Sequence, residues 1–505
     1  MRRPKGGPRL SAPVDLILGR TLRLLLCAAP MLQAQVPKAW DDKMLAGWAL
    51  PVAGIGVRPG HFSEQDYYRA PVAELVRTYP VYHPDREPSG YWESLRKRGP
   101  QPLLGPVIPR TDIEWVAAGR RIFEELDVPA FRSKKPNLLA QVRSREEFAR
   151  FKVPVRPDGT VFSLRWVRTA GGVELSINDC ATCHTCLMPD GKLLHGAPFN
   201  ESFSFFTGPV VSEGNPRIFP GDTQATINYR SFGVPWVKPD LHESLKTMSE
   251  ADLFELFVSN IPGTFARSNG SPFYITKVPD LIGFRDRKYI DHTGTHRHRG
   301  IGDLMRYAAL VGCCDPLDFG PHRMLADAQR RIVYRFPDQM LYALAQYIYS
   351  LPPPPNPHRD DPKVAAGKAV FEREGCPACH APPLYTNNRL TPAKGFRPPQ
   401  EHLKTFDILD VSAGTDPSLA LKTRKGTGYY KVPSLKGVWY RGLYLHDGSV
   451  ATLEDLFDPN RLRDGYAPSG FKGYKVKQRA VPGHEFGLKL KVDDKAALLA
   501  FLRSI

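Results

Sequence analysis

The sequence predicts a mainly α protein made of two tandem helical units, with long irregular loops and an N-terminal arm. Three observations lead there. Residues 116–131 (VAAGRRIFEELDVPAF) align without a gap to residues 364–379 (VAAGKAVFEREGCPAC), with eight of sixteen positions identical. Residues 343–351 (ALAQYIYSL) and 497–505 (ALLAFLRSI) form a second related pair, each with the pattern of an apolar-faced helix. The pentapeptide C-x-x-C-H also occurs twice, at Cys180, Cys183 and His184 and again at Cys376, Cys379 and His380.

Taken in chain order, each segment has its own signature. At 505 residues the chain exceeds the ~250 to 300 residues that one hydrophobic core organises, so more than one unit is expected. Residues 1–34 read as a secretory signal peptide, because Arg2, Arg3, Lys5, Arg9, Arg20 and Arg23 precede a short apolar run from Leu24 to Leu32. That implies a periplasmic or secreted protein. The run falls short of the ~20 residues that span a bilayer, and no later segment is longer, so no membrane span is expected. Residues 35–110 are rich in Pro, Tyr and turn signals and read as an irregular N-terminal arm. The first unit covers 111–351, with an insertion of about fifty residues before its cysteines when set against the second copy. Residues 352–361 open with Pro-Pro-Pro-Pro-Asn-Pro, which cannot continue a helix and marks a linker. The second unit covers 362–505.

Composition narrows the partners. The formal charge is +17, and the leader carries six Lys/Arg and one Asp, a net of five, so the remainder carries +12. A basic surface suits an acidic redox partner or nucleic acid alike. No basic run is interleaved with aromatics, so nucleic acid is not expected as a partner.

The paired pentapeptides carry the chemistry. Two thiols one helical turn apart can each add to a haem vinyl group, and the adjoining imidazole becomes the proximal iron ligand. A zinc site would need further Cys or His at short spacing, and the second motif has no other cysteine in its unit. Two covalently bound haem c groups are therefore expected, held by Cys180, Cys183, His184, Cys376, Cys379 and His380, and the units become two cytochrome c-like domains. Once the leader's Cys27 is set aside, Cys186, Cys313 and Cys314 remain as an odd number. A disulfide from Cys186 to one of the adjacent pair is one arrangement an oxidising compartment allows; the sequence does not choose the pairing.

Residues 432–454 (VPSLKGVWYRGLYLHDGSVATLE) resemble the segment that follows the second haem in the bacterial di-haem cytochrome c peroxidase superfamily, which includes the di-haem enzyme of methylamine utilisation and the rubber oxygenases. Arg297, His298 and Arg299 leading into residues 303–310, and the ending Gly483 to Leu488, look most like the rubber-oxygenase branch. The resemblance implies an N-terminal haem that binds peroxide or dioxygen and a C-terminal haem that receives or stores electrons from a small redox protein or other donor.

The sixth iron positions decide the chemistry. All eight methionines precede residue 341, so a His/Met haem built within the second unit is excluded, and a lower reduction potential is expected. His484, in a Pro-Gly-His turn that resembles the distal-ligand position of the rubber-oxygenase branch, is the expected second ligand. His446, His402, Tyr444, Tyr466 and Tyr474 are the other donors there. For the first haem, His195 lies in a loop like one the peroxidases use, and His292, His296 and His298 are alternatives. With Arg297 and Arg299 these three histidines could instead anchor haem propionates. Trp236, Tyr307 and Trp439 are candidates for an aromatic relay, against the plainer reading of core residues. The competing class is a non-catalytic di-haem electron carrier. It fits the motifs equally well, but does not account for the large first unit. A haem-based sensor would need an output module, and none is evident.

Overall fold

Thr111 starts the first repeat helix. Its hydroxyl accepts the Glu114 amide at 3.3 Å while the Glu114 carboxylate accepts the Thr111 amide at 3.0 Å, a capping box that satisfies donors a helix N-terminus leaves over. The helix, Asp112–Glu125, buries Trp115, Gly119, Ile122 and Phe123, which is one face at helical spacing. That face lies on the helix Asp338–Ser350. At the crossing there is no room for a side chain: a Cβ on Gly119 would collide with the Ala343 carbonyl and stand 2.7 Å from Tyr347 Cβ.

The second repeat builds the same crossing. Helix Val364–Arg373 packs on Val492–Ser504, and a Cβ on Gly367 would collide with the Ala497 carbonyl and stand 2.7 Å from Phe501 Cβ. Gly119 aligns with Gly367, Ala343 with Ala497 and Tyr347 with Phe501. The sequence duplication is thus a duplicated pair of helices locked at a glycine.

The computed structural model describes residues 36–106, 108–127, 132–177, 179–203, 222–266 and 270–505. The leader 1–34 with Cys27, and the end of the first repeat at 128–131, lie outside the described residues. Residues 36–505 pack as one compact unit. No helix among the described residues is long and apolar enough to cross a membrane.

The fold is mainly helical, as expected, and two features of the N-terminal arm position the rest. Trp40, Trp48 and Tyr67 are fully buried in the main core with the Asp112–Glu125 and Asp338–Ser350 helices. Their polar tips are satisfied by backbone: Trp40 Nε1 donates to Phe62 O at 2.9 Å, Trp48 Nε1 to Arg297 O at 3.0 Å, and the Tyr67 hydroxyl to Phe336 O at 3.0 Å. Single aromatic anchors on an irregular segment leave no periodicity to read. The arm also supplies strand Thr78–Tyr82, which pairs antiparallel with Thr160–Thr169; that strand pairs in turn with Gly172–Ser176, and Gly172–Ser176 with Arg132–Ser133. One face of this four-stranded sheet buries Tyr79, Val81, Leu164, Trp166 and Leu175 against Leu138, Val142 and Phe148. The insertion read from the sequence therefore holds a small α/β layer with its own core.

Shorter pairings frame the pentapeptides. Thr185–Leu187 pairs with Leu193–His195, and Leu390–Pro392 with Tyr429–Lys431. The proline-rich segment at 352–356 is neither helix nor strand, and Asn356 ties it down by donating to Arg503 O at 2.9 Å.

Candidate functional site

Cys180–Cys183 is one helical turn, capped by Asp179, whose carboxylate accepts the Thr182 amide at 2.6 Å and its hydroxyl at 2.7 Å. The next residue, His184, has its Nδ1 3.1 Å from Pro279 O. A carbonyl only accepts, so the proton sits on Nδ1 and the lone pair on Nε2, the tautomer that a metal-ligating histidine needs. The backbone folds back here, Gly196 donating to His184 O at 2.7 Å and Phe199 to Cys183 O at 3.2 Å. Phe162 and Phe199 pack with Cys183 and make this surround apolar.

The second pentapeptide follows a left-handed Gly375 (φ 72°) into the turn Cys376–Ala378. His380 repeats the arrangement of His184, with Nδ1 3.3 Å from Tyr385 O. Burial pushes the Cys376 thiol up to about 11, the opposite of the low value that marks a redox-active C-x-x-C.

Opposite His380 stands His484. The ring centres are 6.4 Å apart and the planes 57° to each other. Two imidazoles on one metal, each bonded at about 2.0 Å, have their nitrogens roughly 4 Å apart and their ring centres roughly 6 Å apart. The pair fits that span. One ring nitrogen of His484, Nδ1, is buried with no hydrogen-bond partner. Burial and then the neighbouring His380 hold His484 down to about 4, and burial holds His380 down to about 4, so both are neutral imidazoles at pH 7, the ligating form.

The loop that delivers His484 is fixed from three sides. Its amide donates to Ala413 O at 2.6 Å. Gly483 packs so closely on Gly414 and Thr415 that a Cβ would overlap their backbone, and it adopts φ 80°. Arg461, fully buried, donates to Val481 O at 2.6 Å and to the His484 and Leu456 carbonyls at 2.9 Å each. Arg461 and Pro279 were not legible in the sequence, since an isolated arginine and a backbone carbonyl acceptor carry no motif.

The other expected donors have partners within the protein. His446 stacks on Tyr430 at 4.3 Å, with Nε2 3.2 Å from its hydroxyl, and His402 has Nδ1 2.9 Å from the Tyr429 hydroxyl. The Tyr444 hydroxyl donates to Val438 O at 2.8 Å. His195 has Nδ1 2.6 Å from the Tyr347 hydroxyl and Nε2 3.7 Å from the Glu124 carboxylate, which holds it against the first helix pair. His292 Nε2 donates to Lys277 O at 2.7 Å, and burial pushes this imidazole down to about 3. His296 Nδ1 meets Asp291 at 2.8 Å, and His298 is bound at both nitrogens, by Arg287 O at 2.7 Å and the Tyr349 hydroxyl at 2.6 Å.

Arg299 is bonded bidentately to Asp303, and Arg297 lies over the Phe406 ring at 4.9 Å. Cys313 and Cys314 are joined to each other and Cys186 is a buried free thiol, so a bridge from Cys186 to that pair does not form. Trp236 packs with Phe319 and His322 in a satellite core cluster and Trp439 lies beside His358 and Tyr440, while the Tyr307 hydroxyl donates to buried Asp291.

Comparison with known proteins bears on the C-terminal half. Residues 428–466, which include Arg441, His446 and Arg461, match the family described as RoxA-like, cytochrome c-like. An uncharacterized protein, y4iJ, of Sinorhizobium fredii (strain NBRC 101917 / NGR234) is 33% identical over a stretch covering 15% of this chain and 18% of that protein. The chain therefore spans under a fifth of that relative. Among solved structures, hydrazine synthase of Kuenenia stuttgartiensis shares 17% identity over 49% of this chain and 77% of that one, with a TM-score of 0.29. A MauG-like protein associated with microbial copper homeostasis shares 19% over 33% of this chain and 56% of its own, with a TM-score of 0.21. What the chain shares with a described family is thus a short C-terminal segment, residues 428–466, that is similar to the RoxA-like, cytochrome c-like family.

Proposed function

We propose that this chain is an exported di-haem c-type oxidoreductase in which the haem at His184 meets peroxide or dioxygen and the haem at His380 stores and delivers electrons. The observation that carries the reading is the unequal surroundings of the two pentapeptides. His380 faces His484 at the span of a shared metal, whereas of the four histidines considered for the first haem His298 is bound at both nitrogens, His195 and His292 are hydrogen-bonded at one, and His296 is held at Nδ1 with Nε2 buried and unpartnered. Bound at these sites, haem c supplies one-electron chemistry and, where an iron position is open, reaction with peroxide or dioxygen.

The chain's own groups prepare both places. Pro279 and Tyr385 carbonyls take the Nδ1 protons of His184 and His380, orient both rings and raise their basicity. Arg461 and Ala413 hold the His484 loop, so that its imidazole stays opposite His380. Phe162 and Phe199 exclude water around Cys183. A small redox protein is the expected electron donor. The His380 and His484 pair would equally serve a pure electron carrier, so reactivity at the first haem separates the two readings. Reduced protein is mixed with hydrogen peroxide or dioxygen and each haem band followed by stopped-flow absorption. A change at one haem within the mixing experiment supports the enzyme; two unreactive haems leave the carrier and end the enzyme reading.

A further inference from the structure

Four half-buried cations gather near the groups that hold the two pentapeptide histidines. Lys277 is two residues before Pro279, whose carbonyl takes the His184 proton. Lys431 is two residues before Pro433, whose backbone lies within hydrogen-bonding reach of the His380 ring, and Arg441 donates to the carbonyl of the next residue, Ser434. Arg287 reaches into the same region, with Nη2 3.9 Å from the Asp280 carboxylate. Each lies deep yet keeps an accessible face.

Among the described residues, carboxylates do not balance their charges. Asp280 stands 3.9 Å from both Arg287 and Arg441, and it also accepts the Tyr440 hydroxyl at 3.2 Å. Among the described residues no carboxylate lies within 4.0 Å of Lys277 Nζ or Lys431 Nζ. The Lys431 ammonium donates only to carbonyls, Ile290 O at 2.9 Å and Tyr289 O at 3.2 Å, and Lys277 Nζ lies 5.9 Å from the Tyr444 ring centre. Asp291, the next carboxylate, is already engaged by His296 at 2.8 Å, by Lys425 at 3.4 Å and by Tyr307. The Nε of Arg441 is buried without a partner.

Buried cations in excess are costly unless anions meet them. Burial and the neighbouring arginines push Lys277 and Lys431 down to about 7, so without an anion both would lose much of their charge at neutral pH. Planar guanidinium and ammonium donors together suit carboxylates. We propose that Lys277, Arg287, Lys431 and Arg441 form one shared anion site that receives propionate carboxylates from both haems and so couples the two haems electrostatically. This rests on the two-haem reading above. Lys277 is tied to the first pentapeptide through Pro279 and Arg441 to the second through the Ser434 carbonyl, to which it donates at 2.5 Å, so the cluster belongs to neither haem alone.

The test is a spectroelectrochemical titration of both haems in the haem-loaded full chain, with Lys277→Gln, Lys431→Gln, Lys277→Arg and Lys431→Arg beside the wild type. Removing a cation favours the more positive ferric state. Each Gln variant should lower both midpoints, by about 59 mV for a tenfold change in a one-electron equilibrium, while the Arg variants stay near wild type. Added acetate should leave the wild-type midpoints unmoved, because the site is filled from within. Unmoved midpoints in both Gln variants, a shift confined to one haem, or a saturable acetate effect overturns the proposal. Should a Gln variant fail to take up haem, loading restored by Arg at that position supports it and loss with Arg as well overturns it. A wild-type chain without haem overturns the parent reading; two loaded haems with unmoved midpoints overturn only this one.

Discussion

The imidazole centres of His380 and His484 lie 6.4 Å apart, brought together by a turn in one repeat helix's wake and a loop pinned by buried Arg461. Two histidines on opposite sides of one metal have about this spacing, and on the proposed di-haem reading the position can be altered one residue at a time.

His484→Met should raise the midpoint potential of one haem and leave the other unchanged, because a methionine axial ligand raises the potential where histidine lowers it. His484→Ala should turn the same haem from low-spin to high-spin or water-ligated. Absorption and redox titration of the two variants check this, and His446→Gln is the control expected to keep the low-spin spectrum, since His446 stacks on Tyr430 rather than facing His380.

Gly119→Ala and Gly367→Ala should each destabilise the protein by about 1–3 kcal/mol or somewhat more, the usual cost of overpacking. At either site the new methyl meets a backbone carbonyl, of Ala343 or Ala497, that a rotamer change cannot move aside. Thermal melts of the two variants should show similar losses, whereas Gly300→Ala, with nothing within 4 Å of its Cβ, should melt near wild type.

Acid should destabilise the fold from about pH 6.5 downward. Burial holds His61 and His292 at about 3, below the ordinary histidine value, so between these limits the unfolded chain binds protons that the folded chain does not. Their stabilising effect is complete above pH 6.5 and is lost as pH falls toward 3. Each contributes a slope of about 1.4 kcal/mol per pH unit in that window. Melting temperatures at pH 7, 6, 5 and 4 test it, and His292→Gln should flatten the decline.

Thiol chemistry separates the three remaining cysteines. Cys186 is buried, with its thiol pushed up to about 11 by burial, so it should resist iodoacetamide in the native protein and react after unfolding. Cys313 and Cys314 should be alkylated only after reduction, as one peptide carrying an adjacent bridge. Peptide mass mapping of native, unfolded and reduced samples reads both.

Much of the second site was legible because its signals are local. The pentapeptide points to His380, and the resemblance of the Pro-Gly-His turn to the rubber-oxygenase branch points to His484, which the fold sets opposite His380. The duplicated helices were legible as well, though the reason for Gly119 and Gly367 became plain only where each meets a carbonyl across the crossing. The sheet in the first half went unread, since the strand Thr160–Thr169 lies within what looked like an insertion and takes a partner, Thr78–Tyr82, from the arm. Pairing between distant segments leaves no periodic trace in either. The buried cations were invisible for the same reason: Lys277 and Lys431 look like any exposed lysine until the fold sets them beside Arg287 and Arg441.

Low-temperature paramagnetic resonance of the ferric full-length protein, with haem mass mapped to each pentapeptide, tests the central claim most directly. The account predicts haem on both Cys180/Cys183 and Cys376/Cys379, one low-spin signal that disappears in His484→Ala and one high-spin or ligand-exchangeable signal that does not. Haem missing from either pentapeptide, or two rigid low-spin signals untouched by the His484 substitution, would contradict it.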